Sequence, residues 1–250
     1  MKLTSEELER YARHIVLPEI GGVGQQALKA SKVLVVGAGG LGSPAIQYLG
    51  AAGVGTLTVV DDDSVSLSNL QRQTIHATEN CGMPKVESAR IAVNALNPNV
   101  NFVPVQERLQ AENGKHLVSG CDIVVDGSDN FDTRYCVADL CERLEKTLVT
   151  AAVGRFDASL TTIKPHCRDD AGNLLPRYRD VFPDQPRDGL VATCEEVGIM
   201  GAITGVLGAM QAMETIKEIT ETGDSLAGRL LLFDGLSARW SEFACRRSEA

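Results

Sequence analysis

The passage that most limits what this chain can fold into is Lys32-Val33-Leu34-Val35-Val36, followed at once by Gly37-Ala38-Gly39-Gly40-Leu41-Gly42 and a run of small residues to Gly53. The first segment is apolar and β-branched without polar alternation, the pattern of a strand buried on both faces. The glycines have the spacing G-x-G-x-x-G, at which a chain without side chains turns from a strand into a helix and offers backbone N–H groups to a phosphate. Thr56 to Val60 reads as a second strand ending in Asp61-Asp62-Asp63. The unit is therefore βαβ, with its loops at the carboxyl edge of a parallel sheet. Asp61 follows Gly42 by 19 residues, where a carboxylate accepts the two ribose hydroxyls of a nucleotide. A tight turn in an α/β protein without a ligand is the competing reading of the glycines alone.

The remaining pattern extends this unit. Thr4 and Glu7 form a capping box ahead of a short amphipathic helix over 5–14. Pro84 to Leu96 has helical spacing stopped by Asn97-Pro98, Phe102 to Val105 reads as a third strand, and Asp122 to Asp126 as a fourth. The loop Gly127-Ser128-Asp129-Asn130 leads into a helix over 132–144, and Leu148 to Val153 is a fifth strand. The prolines of 165–188, set among charged residues without a period, predict a mobile loop over 165–190. Val197 to Ile219 reads as a long helix, and Leu230 to Phe233 with Ala238 to Ala244 as a hairpin around Asp234-Gly235. The expected architecture is α/β: a Rossmann-like, doubly wound, mostly parallel sheet with a C-terminal antiparallel hairpin. It forms one domain over 1–250 with a helical arm over 1–30.

Composition narrows the function classes. With 24 Lys+Arg against 33 Asp+Glu, the net charge of -9 repels phosphate backbones and anionic lipid, so nucleic acid and membrane surfaces are not expected partners. The long uncharged stretches 33–60 and 197–213 are broken by glycines and Pro44 and do not make membrane spans. The acidic start Met1-Lys2-Leu3-Thr4-Ser5-Glu6-Glu7 is unlike an export signal. The seven cysteines include no pair at two-residue spacing and suit a reducing, cytoplasmic setting.

The residues after Asp61 point to chemistry other than hydride transfer. Asn69, Arg72 and Gln73 lie in the loop that follows, and Lys85 opens the next helix. Cleavage of a triphosphate needs cations on the β- and γ-phosphates and polar groups on the α-phosphate. Arg72 and Lys85 are placed to clamp a pyrophosphate leaving group, and Asp129 at the carboxyl end of the fourth strand to hold Mg2+.

The segments Gly37-Ala38-Gly39-Gly40-Leu41-Gly42, Asp61-Asp62-Asp63, Ser68-Asn69-Leu70-Gln71-Arg72-Gln73, Pro84-Lys85 and Ser128-Asp129-Asn130, in that order, resemble the MoeB/ThiF/HesA family of ubiquitin-activating-type adenylyltransferases. The resemblance covers nearly the whole chain. It implies that the C-terminal glycine carboxylate of a small ubiquitin-like sulfur carrier attacks the α-phosphate of Mg-ATP, giving an acyl-adenylate and pyrophosphate. The attacking carboxylate is already ionised, so positioning and charge neutralisation suffice without a general base. By the family pattern, Gly37, Gly39, Gly40, Gly42, Asp61 and Gln73 line the ATP site. Asn69, Arg72 and Lys85 take the phosphates, Asp129 the magnesium, and Asp63 orients the Arg72 loop. Arg13 matches an arginine that reaches the neighbouring subunit's ATP site, which implies a homodimer. Cys194 matches a cysteine that some relatives use covalently or in sulfur transfer, and it precedes the Val197 helix, whose N-terminus lowers a thiol pKa.

Each assignment has a plainer reading: Arg13 and Lys85 as solvated helix charges, Asp63 as a solvated carboxylate, Asp129 as a helix cap. The chain also departs from the family. Where relatives place the first of two Cys-x-x-Cys zinc pairs, it reads Arg177-Tyr178-Arg179-Asp180, and it ends at Ala250 without the second. No structural zinc is expected. With no rhodanese segment, the sulfur donor is expected to be a separate protein. Thr193-Cys194-Glu195-Glu196 and Gln211-Ala212-Met213-Glu214 are MoeB-like, whereas Phe233-Asp234-Gly235 and Arg239-Trp240-Ser241 are ThiF-like. Molybdopterin synthase's small subunit is therefore ranked ahead of ThiS as carrier. An NAD-dependent oxidoreductase and an inactive scaffold are the alternatives from other classes.

Overall fold

The computed structural model describes residues 2–185 and 198–248. Eight strands form one sheet in the order β3-β2-β1-β4-β5-β6-β7-β8. The first five are β1 (Lys32–Val36), β2 (Thr56–Val60), β3 (Asn101–Val105), β4 (Ile123–Asp126) and β5 (Thr147–Val153). They pair in parallel, β1 with both β2 and β4. The last three are β6 (Asp157–Ile163), β7 (Arg229–Asp234) and β8 (Arg239–Ala244), joined antiparallel onto β5. The expected doubly wound sheet with a C-terminal hairpin is what the chain forms.

The chain leaves β1 in one direction, to β2 and β3, and returns on its other side to β4 and β5. This is a topological switch, and the crevice it opens lies at the carboxyl ends of β1 and β4. Alternate residues of β1 feed opposite layers. Val33 and Val35 pack with Ala45, Ile46 and Leu49 of α4 (Gly42–Ala52) and with Ala89 and Val93 of α5 (Lys85–Leu96). Leu34 and Val36 pack with Val118 of α6 (Ala111–Ser119) and with Val137 and Leu140 of α7 (Phe131–Arg143). Each fully buried leucine or isoleucine here is worth about 2 kcal/mol of transfer free energy.

The N-terminal arm is α1 (Ser5–Arg10), α2 (Ala12–Ile15) and α3 (Gly21–Ala30), with the Thr4–Glu7 capping box as expected. Tyr11 fills the space beside Gly53, the left-handed C-cap of α4, and its hydroxyl accepts a hydrogen bond from Asn97 at 2.8 Å. The arm thus sits at the far end of α4 from the glycine turn.

Three readings change. Segment 165–185 carries a helical turn, α8 (Tyr178–Val181), whose Tyr178 is buried edge-on against Tyr135. Proline punctuation hid this anchor, and 186–190 lie outside the described residues. The last helix, α9 (Gly201–Thr220), starts later than Val197, because Gly198 has φ +77° and Met200 is extended. Cys194, expected just ahead of this helix, lies outside the described residues. α6 and β6 had no legible pattern: α6 is capped by Asn113, and β6 is a run of small and hydroxyl residues.

Candidate functional site

The floor of the crevice is the glycine turn. Gly37 adopts φ +90°, and a Cβ on Gly42 would lie 1.9 Å from the Gly37 carbonyl oxygen, so no side chain fits there. A Cβ on Gly37 would meet the Gly127 carbonyl at 3.0 Å, so the turns after β1 and β4 lie in contact. Gly40 faces Thr204 of α9. Gly39 meets only the Gln73 side-chain nitrogen at 3.7 Å, so its outer surface is open backbone.

Asp61 stands at the end of β2, half-buried. Its two oxygens accept the N–H groups of Ala38 (2.7 Å) and Asp63 (2.8 Å). Burial pushes its pKa up, opposed by Lys85 and these two N–H groups. Lys85 is only 5% exposed and donates to Asp63 at 2.7 Å. Burying an amine is tolerable only with such a partner, and here the buried lysine is paired with an exposed carboxylate. A merely solvated first-turn lysine is thereby replaced as the reading of Lys85.

Asn69 ends a short 3-10 turn and its carbonyl accepts from the N–H groups of Arg72 (3.1 Å) and Gln73 (3.0 Å), which gives the Arg72 loop its shape. Arg72 is half-buried, and its carbonyl accepts from the Thr204 hydroxyl at 3.4 Å. Gln73 is 4% exposed, and its Oε1 is buried with no hydrogen-bond partner among the described residues. Orphaned buried acceptors are rare in folded proteins. The amide nitrogen of the same side chain is the atom beside Gly39.

Asp129 is exposed on the β4–α7 loop. The cap of α7 is Asn130, which accepts from the Thr133 N–H at 3.0 Å. Asp129 is therefore free of the capping role. Below it lies a polar anchor that motif reading passed over. Asp126, fully buried, accepts from the Ser128 N–H (3.0 Å), the Ser128 hydroxyl (2.6 Å) and Thr150 (2.9 Å). Arg134 donates to the Ser128 carbonyl at 2.6 Å. The signal was there in an aspartate ending an otherwise apolar strand and an arginine one turn into the next helix. Asp61, Asp62 and Asp63 present oxygens within 4.8 Å of one another. Each of Asp61's oxygens already accepts one backbone N–H, and Asp63 holds the Lys85 amine.

One residue stands apart from the cluster. Arg13 is exposed on α2, one α4 length from the glycine turn, about 16 Å at 1.5 Å per residue. Cys194 lies outside the described residues. At the place where relatives put the first zinc pair, Arg177 grips Asp180 through Nε (3.1 Å) and Nη2 (2.9 Å), and Asp180 also accepts from the Arg177 N–H and the Ser248 hydroxyl. These bonds hold the Asp180 carboxyl well below the usual carboxylate range despite its burial. A guanidinium in this position does not fit a metal.

Fold and crevice together define a doubly wound α/β protein with an open glycine turn and a strand-end acid at its topological switch. The chain belongs to the ThiF family, whose sequence profile matches residues 11–250. It is 45% identical over 236 residues to the SAMP-activating enzyme E1 of Haloferax volcanii, covering 94% of this chain and 84% of that one. It is 44% identical over 248 residues to the sulfur carrier protein adenylyltransferase of Thermus thermophilus, covering 99% and 91%. Against adenylyltransferase and sulfurtransferase MOCS3 of Drosophila sechellia the identity is 48% over 236 residues, but the chain spans about half that protein, 51% of its length. The fold matches the crystal structure of E. coli MccB with ATP at TM-score 0.79 and 19% identity, over 99% of this chain and 74% of that one. Among the described residues no helix is long and apolar enough to cross a membrane.

Proposed function

We propose that this protein adenylates the C-terminal glycine carboxylate of a small ubiquitin-like sulfur carrier, releasing pyrophosphate, ahead of thiocarboxylation. The observation that carries the reading is the convergence on one crevice of an open glycine turn, the strand-end Asp61, the buried Lys85 amine and the Asp129 loop. The names of the Haloferax and Thermus relatives support the same substrate class.

In this reading Asp61 takes the ribose hydroxyls and the Gly39–Gly40 backbone lies along the phosphates. Gln73, whose side-chain amide nitrogen lies beside Gly39, lines the site. Lys85 and Arg72 neutralise the departing pyrophosphate, with Asn69 shaping the loop that carries Arg72. Asp129 would hold Mg2+, which when bound offsets triphosphate charge; a hard oxygen donor on an exposed loop suits that ion. The carrier carboxylate is the nucleophile and needs no base, so rate rests on alignment. Arg13 lies too far from its own crevice to serve it and is assigned to the partner subunit's site in a homodimer. Cys194 is assigned a role after adenylation. The MoeB-like segments favour the molybdopterin synthase small subunit as carrier, with ThiS second.

Carrier-dependent exchange of labelled pyrophosphate into ATP tests this, with the two carriers assayed separately and Asp129→Ala as control. Exchange with one carrier, lost in the variant, is expected. ATP binding with no exchange for either carrier would overturn the substrate assignment, and NADH binding in place of ATP would move the protein to the oxidoreductases.

A further inference from the structure

The residues around the crevice close into a ring of hydrogen bonds, and one member touches none of the groups assigned to substrate. Asp61 holds the Ala38 and Asp63 N–H groups, Asp63 holds the Lys85 amine, and its carbonyl accepts the Lys85 N–H at 2.9 Å. Lys85 begins α5, and Ser88 lies one turn on. The Ser88 hydroxyl meets Nδ1 of His76 at 2.9 Å, and Nε2 of His76 meets the Ala38 carbonyl at 2.9 Å, which returns the ring to the glycine turn. The Ala38 residue is thus held at both of its backbone polar groups, its N–H by Asp61 and its carbonyl by His76.

The chemistry of the partners assigns the protons. A carbonyl only accepts, so Nε2 carries the hydrogen. His76 is buried, and burial holds its pKa below the ordinary value, with the Ala38 carbonyl opposing and the Lys85 charge adding to the depression. The ring is therefore neutral at pH 7, and Nδ1 accepts the Ser88 hydroxyl proton. The Ser88 hydroxyl also lies in donating geometry 3.2 Å from the Asn80 side-chain oxygen, and the shorter contact, at 2.9 Å, is the one to the imidazole.

We propose that His76 is a positioning residue for the nucleotide site, spanning the glycine turn and the first turns of α5. In that role the Ala38–Gly39 backbone and the Lys85 amine reach the same nucleotide in register. The inference rests on the nucleotide reading above. A rigid two-ended donor–acceptor suits the place, because the two elements otherwise meet through the apolar contact of Ala38 with Val86 and Ala89, which sets no hydrogen-bond register, and through Asp61 and Asp63.

Calorimetric titration of Mg-ATP into the full chain tests it, run well below each protein's melting temperature. His76→Phe keeps the volume and removes both hydrogen bonds, so ATP binding is expected to weaken about tenfold, the worth of one such bond in a buried network. His76→Gln keeps an N–H donor for the Ala38 carbonyl and is expected to recover to within about threefold of wild type. Should His76→Phe not fold, Ser88→Ala carries the test, with about threefold weaker binding expected. A role in packing alone would lower melting temperature and leave ATP affinity where it was. Equal affinity in His76→Phe and wild type, or in Ser88→Ala where that variant carries the test, would overturn the inference and leave the nucleotide reading standing. A glutamine variant no better than phenylalanine would also overturn it, and wild-type protein that fails to bind ATP would remove both.

Discussion

Asp61 carries the sharpest consequence at the scale of single residues. Its carboxylate must be ionised to accept ribose hydroxyls, yet burial raises its pKa. The ionised form dominates above the raised pKa and is lost as pH falls through it. ATP affinity is therefore expected to decline on acidification earlier than an ordinary aspartate near 3.9 would cause. Titrating ATP affinity from pH 7 downward measures this. An onset at or below that ordinary value would show that the N–H groups of Ala38 and Asp63 outweigh burial. The residue scale is also where the sequence spoke most clearly. Gly37 and Gly42 were legible because backbone geometry permits few alternatives at those positions, and Asp61 because it ends the second strand at a set distance from them. Asp126 and His76 were not, since a buried aspartate and a buried histidine acquire meaning only from partners distant in sequence, Thr150 for one and Ala38 for the other.

Among the elements, α8 shows how a departure from family pattern is accommodated. Arg177 and Asp180 tie the turn to itself and Ser248 ties it to the C-terminal segment, in the place where a metal was expected in relatives. Asp180 has a side chain 2% exposed. Removing Arg177 would leave that carboxylate buried without its cation, so Arg177→Met is expected to cost about 3 kcal/mol of stability. At about 2–4 °C per kcal/mol for a domain of this size, thermal denaturation resolves that loss. A chelator is expected to leave the wild-type melting temperature unchanged, and a clear drop would show that a metal is held after all. Because the folded pKa of Asp180 is depressed, the clip's contribution is complete above the unfolded value near 3.9 and fades only as pH falls toward the folded one. Element boundaries followed the same division as residues. β1, β2, β4 and α5 were readable from their apolar periods, whereas β6 was masked by its serine and threonines and α8 by surrounding prolines.

For the whole molecule, the arm and the crevice lie at opposite ends of α4, which bears on assembly. If Arg13 completes the partner subunit's site, Arg13→Ala and Asp129→Ala proteins are each inactive in exchange but complement when mixed and allowed to re-equilibrate. Half of the resulting dimers are mixed, and each has one site with both native residues, so about a quarter of wild-type activity is expected. No recovery, with mixed dimers demonstrated, would return Arg13 to the surface charges.

The closed ring around the crevice has a further consequence for the thermodynamics of nucleotide capture. Asp61, Ala38, Asp63 and Lys85 satisfy one another before any ligand arrives, so loop entropy is already spent in the folding of the chain. A nucleotide entering such a site loses its own freedom but imposes little new order on the protein, and more of its contact energy is retained as affinity.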